Sequence, residues 1–222
     1  RELCERDVPI CYFSHGGWFY GFTHGMGHRN VVMRQLQYAA SADPARALTL
    51  GRRFIEAKIR NCRTLLRRNG QGVQPEALQQ LSELAERVRQ ADDPGQLLGL
   101  EGLAARVYFG EFPSMLRPRS GDSLPFDFGS RNRRPPRDPV NALLSFAYAL
   151  LVKDLTVILQ AVGFDPYLGF LHTPRYGRPA LALDLMEEFR PLIADSVVLS
   201  VVNNGEITPA DFVQRGPACA LK

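Results

Sequence analysis

The stretch that decides the fold is "DPVNALLSFAYALLVKDLTVILQAVG", residues 138–163. It opens on Asp138-Pro139, an acceptor side chain followed by a proline. This pair starts helices because the first helical N–H groups lack partners within the helix. The apolar run after it predicts one long helix, and it is nearly long enough to span a bilayer. Lys153 and Asp154 lie in its middle, so we interpret it as a core helix.

The same type of helix start recurs along the chain at Asp43-Pro44, Asp93-Pro94 and Thr208-Pro209. A mainly helical chain follows from this repetition and from the apolar periodicity between the starts. The predicted helices cover 28–41, 44–69, 75–91, 94–109, 139–162, 180–195 and a segment beginning near 209.

The beginning of the chain reads differently. Residues 8–22, "VPICYFSHGGWFYGF", predict two short strands joined by a turn, because β-branched and aromatic residues flank a glycine pair. Two strands bury too little surface to be stable alone. We therefore expect them to be the last strands of a sheet that begins before this chain, and we expect the chain to be a fragment of a longer polypeptide.

Composition is that of a globular protein, with 222 residues, 45% hydrophobic and 23% charged, and a net charge of +4. The four cysteines are scattered and form no CxxC pair, which argues against a zinc ribbon or a disulfide framework. We therefore expect the cysteines to be reduced thiols, as in a cytoplasmic protein. Three histidines, His15, His24 and His28, cluster near Cys4 and Cys11, but their spacing matches no common metal site.

Basic residues concentrate in two segments. In the predicted helix 44–69, Leu48, Ile55, Ile59, Cys62 and Leu66 share an apolar stripe, and seven arginines and Lys58 surround it with Glu56 as the only acid. The second segment, residues 117–139, is a loop rich in proline, glycine and serine with six arginines. Guanidinium groups bind phosphate in bidentate fashion, so both segments suit an anion. A solvated basic face and a surface linker remain the alternatives.

Three stretches place polar groups among apolar residues. Glu101 lies within "LLGLEGLAARVYFGEF", and His172 follows the apolar segment "YLGFL". The next predicted helix carries Asp184, Glu187 and Glu188, and helical spacing alone does not choose among these acids. Two carboxylates and an imidazole form an oxygen- and nitrogen-rich ligand set that suits Mg²⁺ or Mn²⁺. With arginines nearby, such a metal indicates phosphodiester chemistry.

Three motifs occur in order: "LLGLEGLAARVYFGEF", "RNRRPPRDPVNALLSFAYALL" and "GFDPYLGFLHTPRYGRPALALDLMEEFRP". Together they closely resemble the CRISPR-associated integrase of spacer acquisition, a metal-dependent DNA endonuclease, over essentially the whole chain. The resemblance implies an N-terminal β-domain ending within residues 1–23. It also implies an α-helical catalytic and DNA-binding domain over residues 24–222, with an incomplete C-terminal end.

The resemblance also implies a set of site residues. It makes Glu101, His172 and Glu187 the metal ligands and Asp184 a nearby auxiliary acid of the catalytic site. Asn141, Ser145 and Tyr148 share a helix face and either line the site or cap buried neighbours. The arginines expected to hold the DNA backbone are Arg52, Arg53, Arg60, Arg63, Arg131, Arg133, Arg134 and Arg137.

The activity implied by the resemblance is transesterification, in which the 3′-hydroxyl of a captured fragment attacks a phosphodiester at a CRISPR repeat. The implied partners are double-stranded DNA, a second copy of the chain, a small ferredoxin-like adaptation protein and an iron–sulfur exonuclease, fused or separate. No membrane is expected, and the compartment is a prokaryotic cytoplasm. The alternatives are a non-catalytic DNA-binding scaffold and a helical module that binds an acidic protein.

Overall fold

A computed structural model describes residues 1–15, 19–25, 31–117, 126 and 128–222. It is 63% helical and contains two small two-stranded sheets, which confirms the mainly α prediction. The helices are α1 Glu2–Glu5, α2 Val31–Ala42, α3 Pro44–Asn69, α4 Pro75–Arg89, α5 Pro94–Glu111, α6 Pro139–Ala161, α7 Ala180–Phe189 and α8 Ser196–Asn203. The strands are β1 Ile10–Phe13, β2 Phe19–Thr23, β3 Phe212–Arg215 and β4 Ala218–Leu221.

The chain divides into two compact units. The first contains Arg1–Gly51 and Leu150–Met186, and the second contains Arg52–Ala149 and Glu187–Lys222. The boundaries fall inside α3, α6 and α7, so each of these helices contributes residues to both units. The domain boundary after residue 23 stays a prediction.

The first unit holds the predicted hairpin. Strands β1 and β2 pair antiparallel, with Ile10 opposite Thr23 and Cys11 opposite Phe22. The turn glycines at 16 and 17 and the predicted helical residue His28 lie outside the described residues. Helix α6 packs on α7 in this unit, where Leu159, Leu181 and Ala182 form a small buried cluster.

A buried glutamine connects α2 to the loop that leads toward His172. Gln37 is 3% exposed, and its Nε2 donates to the carbonyl oxygens of Asp165 and Leu168, both at 2.8 Å. Its Oε1 accepts from the Asp165 N–H at 2.9 Å. Ser41 adds a hydrogen bond to the carbonyl oxygen of Gly169 at 2.9 Å. One face of α2 thus satisfies the backbone of a loop that has no regular structure of its own.

The second unit packs α3, α4 and α5 around an apolar core. The predicted stripe of α3 is confirmed for the four residues in this unit, which are all 5% exposed or less: Ile55, Ile59, Cys62 and Leu66. Leu48, in the part of α3 that belongs to the first unit, is only partly buried. The predicted caps form as well. Asp93 Oδ1 accepts from the Gln96 N–H at 3.0 Å at the start of α5, and Asp138 Oδ1 accepts from the Asn141 N–H at 2.8 Å at the start of α6.

The predicted helix 180–195 is regular only as far as Phe189. Residues Arg190–Asp195 form a π-helix, which inserts a residue into the repeat and rotates the side chains that come after it. A regular helical continuation would place Ile193 on the same face as Met186, which is buried, but the side chain of Ile193 is 47% exposed. Ala194 and Asp195 face the interior instead, at 2% and 1% exposure.

The helix predicted near residue 209 is also wrong. Thr208 and Asp211 form a capping box, but the turn that they start is a single 3-10 segment, Pro209–Asp211. The chain then continues as β3, pairs with β4 and reverses at Gly216, whose φ of +58° suits glycine. Strand pairing across this turn thus overrides the helix start.

Helix α6 is the single helix among the described residues that is long and apolar enough to cross a membrane by length and composition. Core helices of soluble proteins pass the same test, and one such helix is weak evidence for a span. Its first turns, from Val140 to Leu144, are buried within the second unit, whereas Phe146 and Ile158 farther along the helix are 46% and 52% exposed. The interpretation as a core helix therefore holds for its first turns and stays a prediction for the rest.

Gln37→Leu tests the clamp that Gln37 forms through its hydrogen bonds to the loop backbone at Asp165 and Leu168. The substitution leaves two carbonyl oxygens and one N–H without their partner, so we expect the free energy of unfolding to fall by about 3 kcal/mol. Urea denaturation followed by circular dichroism measures the change. The matched control is Gln35→Leu on the exposed face of α2, where the expected change is about 0.5 kcal/mol or less. Equal effects of the two substitutions would contradict the clamp.

Candidate functional site

Two acids named from the sequence, Glu101 and Glu187, come together in the second unit around a lysine. Glu101 lies on α5, Glu187 on α7 and Lys58 on α3. The Nζ atom of Lys58 is in direct contact with Glu101 Oε1 and lies 2.5 Å from Glu187 Oε2. The carboxylates of two helices are therefore arranged around one cationic atom supplied by a third.

This lysine is buried, at 7% exposure, and Glu187 is 5% exposed. Burial alone would lower the pKa of Lys58, but the charges of Glu187 and Glu101 outweigh it, and the pKa is raised. The side chain is therefore a permanent ammonium at neutral pH. The sequence pattern groups Lys58 with the basic residues around the apolar stripe of α3, and the structure corrects this by placing it inside.

A second cation completes the charge balance. Arg190, in the first turn of the π-helix, approaches Glu187 Oε1 with its Nη2 at 3.2 Å. Both oxygens of Glu187 thus face a positive group, and Lys58 and Arg190 together balance the charges of Glu101 and Glu187. Such balance is required because an unpaired charge is expensive to bury.

The first unit positions His172 through Asp184, which is fully buried. Asp184 Oδ2 accepts from the N–H groups of Phe170 and Leu171 at 2.6 and 2.9 Å. Asp184 Oδ1 accepts from the backbone N–H of His172 at 2.9 Å and contacts its Nδ1 at 2.6 Å. Because an ionised carboxylate only accepts, a neutral imidazole in this position carries its proton on Nδ1 and its lone pair on Nε2.

Glycine is required where the chain turns around this carboxylate. A Cβ at Gly169 would lie 2.6 Å from Asp184 Oδ2 and 2.8 Å from the carbonyl carbon of Ala180. Neither atom has room to move, since the carboxylate is held by its hydrogen bonds and the other atom is backbone. The "GFLH" sequence therefore has a local reason: glycine permits the approach, and the next three residues supply the N–H donors.

The three residues expected to line the site, Asn141, Ser145 and Tyr148, all contact Arg131. Its Nη1 donates to Asn141 Oδ1 at 2.6 Å, and its Nη2 donates to Ser145 Oγ at 3.2 Å. Its guanidinium lies 5.4 Å from the centre of the Tyr148 ring. Asn141 is fully buried and also donates to the Ser130 carbonyl oxygen at 2.8 Å. This face of α6 therefore fixes the part of the arginine-rich loop that carries Arg131.

Tyr148 belongs to a buried network around Asp195. The hydroxyl of Tyr148 donates to Asp195 Oδ1 at 2.6 Å, and that of Tyr108 donates to Oδ2 at 2.7 Å. Arg190 stacks over the Tyr148 ring at 4.8 Å, so the network adjoins the pair of carboxylates. Burial raises the pKa of Asp195, although both hydrogen bonds and the charges of Arg190 and Arg131 oppose this.

The arginines predicted to bind DNA have different surroundings. On α3, Arg52 and Arg63 donate to the carbonyl oxygens of Ala91 and Leu78, while Arg60 pairs with Glu56 and Glu86. Four more of the predicted arginines are exposed: Arg53, Arg133, Arg134 and Arg137. Arg131 is the remaining one, and its contacts are described above. DNA contact by any of these residues stays a prediction.

An open groove of about 410 Å³ adjoins the fixed loop in the second unit. Arg106, Arg131 and Arg133 line it together with Phe109, and Gly102 and Gly110 leave its wall free of side chains. Gly102 follows Glu101 directly in the sequence, so one lining residue of the groove is the chain neighbour of this carboxylate. Three guanidinium groups make it a suitable place for phosphate.

The predicted residues thus fall into two groups. Glu101 and Glu187 meet in the second unit, and His172 and Asp184 meet in the first. No group of three or more His, Cys, Asp or Glu side chains is arranged for a metal within the part of the chain that the structure describes. The ligand role of Glu101, His172 and Glu187 stays a prediction. A role in the site was not predicted from the sequence for Arg190, Tyr108 or Asp195. For Asp195, the available signal was a charged residue inside the largely apolar segment 189–199.

Comparisons with known proteins agree on one family. The family model described as "CRISPR associated protein Cas1" matches residues 1–222. The chain is 54% identical to the CRISPR-associated exonuclease Cas4/endonuclease Cas1 fusion of Geobacter sulfurreducens, over 100% of this chain and 41% of the relative. It thus spans about two fifths of that relative's length.

Two solved structures share the fold. One is a casposase bound to integration product, with a TM-score of 0.81, 25% identity and coverage of 99% of this chain and 61% of that one. The other is a partial Cas6-RT-Cas1–Cas2 complex, with a TM-score of 0.80 and 30% identity. This second match covers 99% of the present chain and 67% of the other.

The raised pKa of Asp195 predicts a specific pH dependence. Between the ordinary carboxyl pKa of 3.8 and the raised value, the folded state holds a proton that the unfolded state has lost. The stabilisation is therefore full below the ordinary pKa and is lost as pH rises through the raised one. We expect the difference in unfolding free energy between wild type and Asp195→Asn to decrease with rising pH, measured by urea denaturation from pH 4 to 7.

Asp211→Asn provides a control of opposite sign. Hydrogen bonds from Thr208 lower the pKa of Asp211, so the contribution of this group is present above the ordinary carboxyl pKa and is lost on acidification. A difference for Asp195→Asn that stays constant or grows with pH would contradict the assigned shift.

Proposed function

The chain belongs to the Cas1 family, and on that premise we propose that the protein is a divalent-metal-dependent DNA integrase and endonuclease of CRISPR spacer acquisition. The observation that carries the proposal is the pair of buried carboxylates, Glu101 and Glu187, arranged around one cationic atom. Helical proteins rarely bury two acids at one point unless a cation is held there. The name of the fusion relative, which includes an endonuclease, and the integration product in the casposase structure support the same activity.

The proposed metal is Mg²⁺ or Mn²⁺. Carboxylate oxygens are the ligands that both ions prefer, and the donors of Glu101 and Glu187 fit this chemistry. The proposed third ligand is His172, and its Nδ1 contact with Asp184 supports this role because a neutral imidazole held in this way presents the Nε2 lone pair. When bound, the metal would polarise the phosphoryl oxygen and stabilise the leaving oxyanion.

The proposed reaction joins a captured DNA fragment to a CRISPR repeat by transesterification. The 3′-hydroxyl oxygen of the fragment attacks a phosphorus atom of the repeat and forms a new phosphodiester. The old bond from that phosphorus to its 3′ oxygen breaks, and the leaving strand takes up a proton as a free 3′-hydroxyl. One ester bond replaces another, so the exchange needs no external energy source.

We propose that the arginine-lined groove and the exposed arginines hold the DNA backbone. Arg131 is suited to this role because Asn141 and Ser145 fix its guanidinium before any ligand arrives. Arg133, Arg134 and Arg137 are exposed in the same segment, and Arg53 is exposed on α3. Contacts of this type are independent of base sequence and weaken with salt.

The proposed partners are double-stranded DNA, a second copy of the chain, a small ferredoxin-like adaptation protein and an iron–sulfur exonuclease. The fusion relative carries an exonuclease by name, and the name of one related structure includes Cas2. These names support an assembly of this kind. A prokaryotic cytoplasm is the compartment that we propose for it.

Integration of a short duplex into a supercoiled plasmid carrying a repeat tests the proposal. The assay uses the full-length protein and its small partner with Mn²⁺ or Mg²⁺, and follows joining on gels. We expect His172→Ala and Glu187→Gln each to reduce joining by at least about a hundredfold, because each removes a proposed ligand. DNA binding, measured by fluorescence anisotropy, should stay within about twofold of wild type because neither residue holds the phosphate backbone.

The matched control is His15→Ala, which removes an exposed histidine of the β1–β2 region and should leave joining unchanged. Equal joining by His172→Ala and wild type would contradict the proposed ligand. Wild-type protein that binds DNA but joins nothing under any divalent metal would instead favour the non-catalytic scaffold.

A further inference from the structure

Lys58 occupies the position around which the two proposed ligand carboxylates of the second unit are arranged. Its ammonium contacts one oxygen of Glu101 and one of Glu187, and all three groups belong to different helices. The other oxygen of Glu187 faces Arg190. Lys58 is therefore the cation that bridges Glu101 and Glu187, and Arg190 adds a second positive charge beside Glu187.

A divalent ion and this ammonium compete for the same oxygens. Magnesium binds carboxylate oxygens at about 2.1 Å, a distance at which no room remains for an ammonium on the same lone pairs. Coulomb repulsion between two cations at such short range is also large in a partly buried site. A metal that binds the oxygens of Glu101 and Glu187 contacted by Lys58 thus requires Lys58 to move.

We propose that Lys58 is an internal counter-cation that holds the metal-ligand carboxylates in place when no metal is bound and is displaced when the metal enters. The inference rests on the proposed function, because it concerns the same two carboxylates. Lys58 is a positioning residue in this account. It lowers the affinity of the two carboxylates for a metal, and it keeps them close together when no metal is bound.

The surroundings of Lys58 provide a place for the displaced ammonium. A cavity of about 20 Å³, sufficient for one water-sized group, is lined by Lys58, Tyr148 and Asp195. The lysine stem is flexible, so its Nζ can turn away from the carboxylates while its base on α3 stays fixed. Asp195 lines the same cavity with its carboxyl group.

Mn²⁺ titration of the full-length protein tests the inference, with binding followed by the electron paramagnetic resonance signal of free Mn²⁺. We expect Lys58→Met to bind Mn²⁺ at least about tenfold more tightly than wild type, because a competing positive charge is gone. In EDTA the melting temperature of this variant should be lower by several degrees, and Mn²⁺ should raise it more than it raises that of wild type.

Three variants make the result specific. Lys58→Arg keeps the charge and should keep metal affinity near that of wild type. Arg87→Met removes an exposed positive charge on α4 in the same unit, and should leave the affinity unchanged. Adding Glu187→Gln to Lys58→Met should abolish the gain, which would locate the tighter site at this carboxylate.

A second measurement does not depend on how well Lys58→Met folds. In wild-type protein with isotope-labelled lysine, the side-chain resonance of Lys58, assigned by its absence in Lys58→Arg, should shift on saturation with Mg²⁺. A saturated protein in which this resonance stays in place overturns the inference.

The titration separates this inference from the proposed function. Equal or weaker Mn²⁺ binding by folded Lys58→Met overturns the role of Lys58 and leaves the metal-dependent activity standing. No binding of Mn²⁺ by either protein overturns both, since the proposed metal site would then be absent.

Discussion

Charge compensation in a buried space is the constraint on which the second unit depends. Lys58 and Arg190 balance Glu101 and Glu187, and the four groups come from α3, α5, α7 and the π-helix directly after α7. Leaving one of these charges without its partner would cost several kcal/mol. The apolar stripe of α3 drives the helices together, and the charged groups then fix which faces meet.

The first unit solves a related problem with hydrogen bonds. Asp184 is fully buried and contacts four donors from Phe170–His172. Within the described ranges of the chain, it forms no salt bridge to a lysine or arginine. Gly169 permits the close approach, and Gln37 and Ser41 hold the preceding loop from α2. The orientation of His172 is thus the result of packing that begins more than 120 residues earlier in the chain.

Much of the fold is predictable because proline and capping residues mark where most helices begin. The helices 44–69, 94–109 and 139–162 agree with the structure within about two residues, the usual uncertainty of helix ends. The π-helix after Phe189 and the β3–β4 hairpin are not predictable in this way, since both depend on tertiary contacts that override local propensity.

The carboxylates of the site were recognisable in the sequence as acids among aliphatic residues. The place of Lys58 was not, because a lysine in an arginine-rich helix reads as part of a solvated face.

We infer that Glu101 and Glu187 form a cation site whose metal-free occupant is Lys58. Anomalous scattering from a crystal of the full-length protein soaked in Mn²⁺ tests it most directly. We expect a manganese peak within about 2.2 Å of oxygens from both carboxylates, with the Lys58 ammonium turned away. A crystal with manganese bound elsewhere, or with Lys58 still between the two acids at full occupancy of the metal, would contradict it.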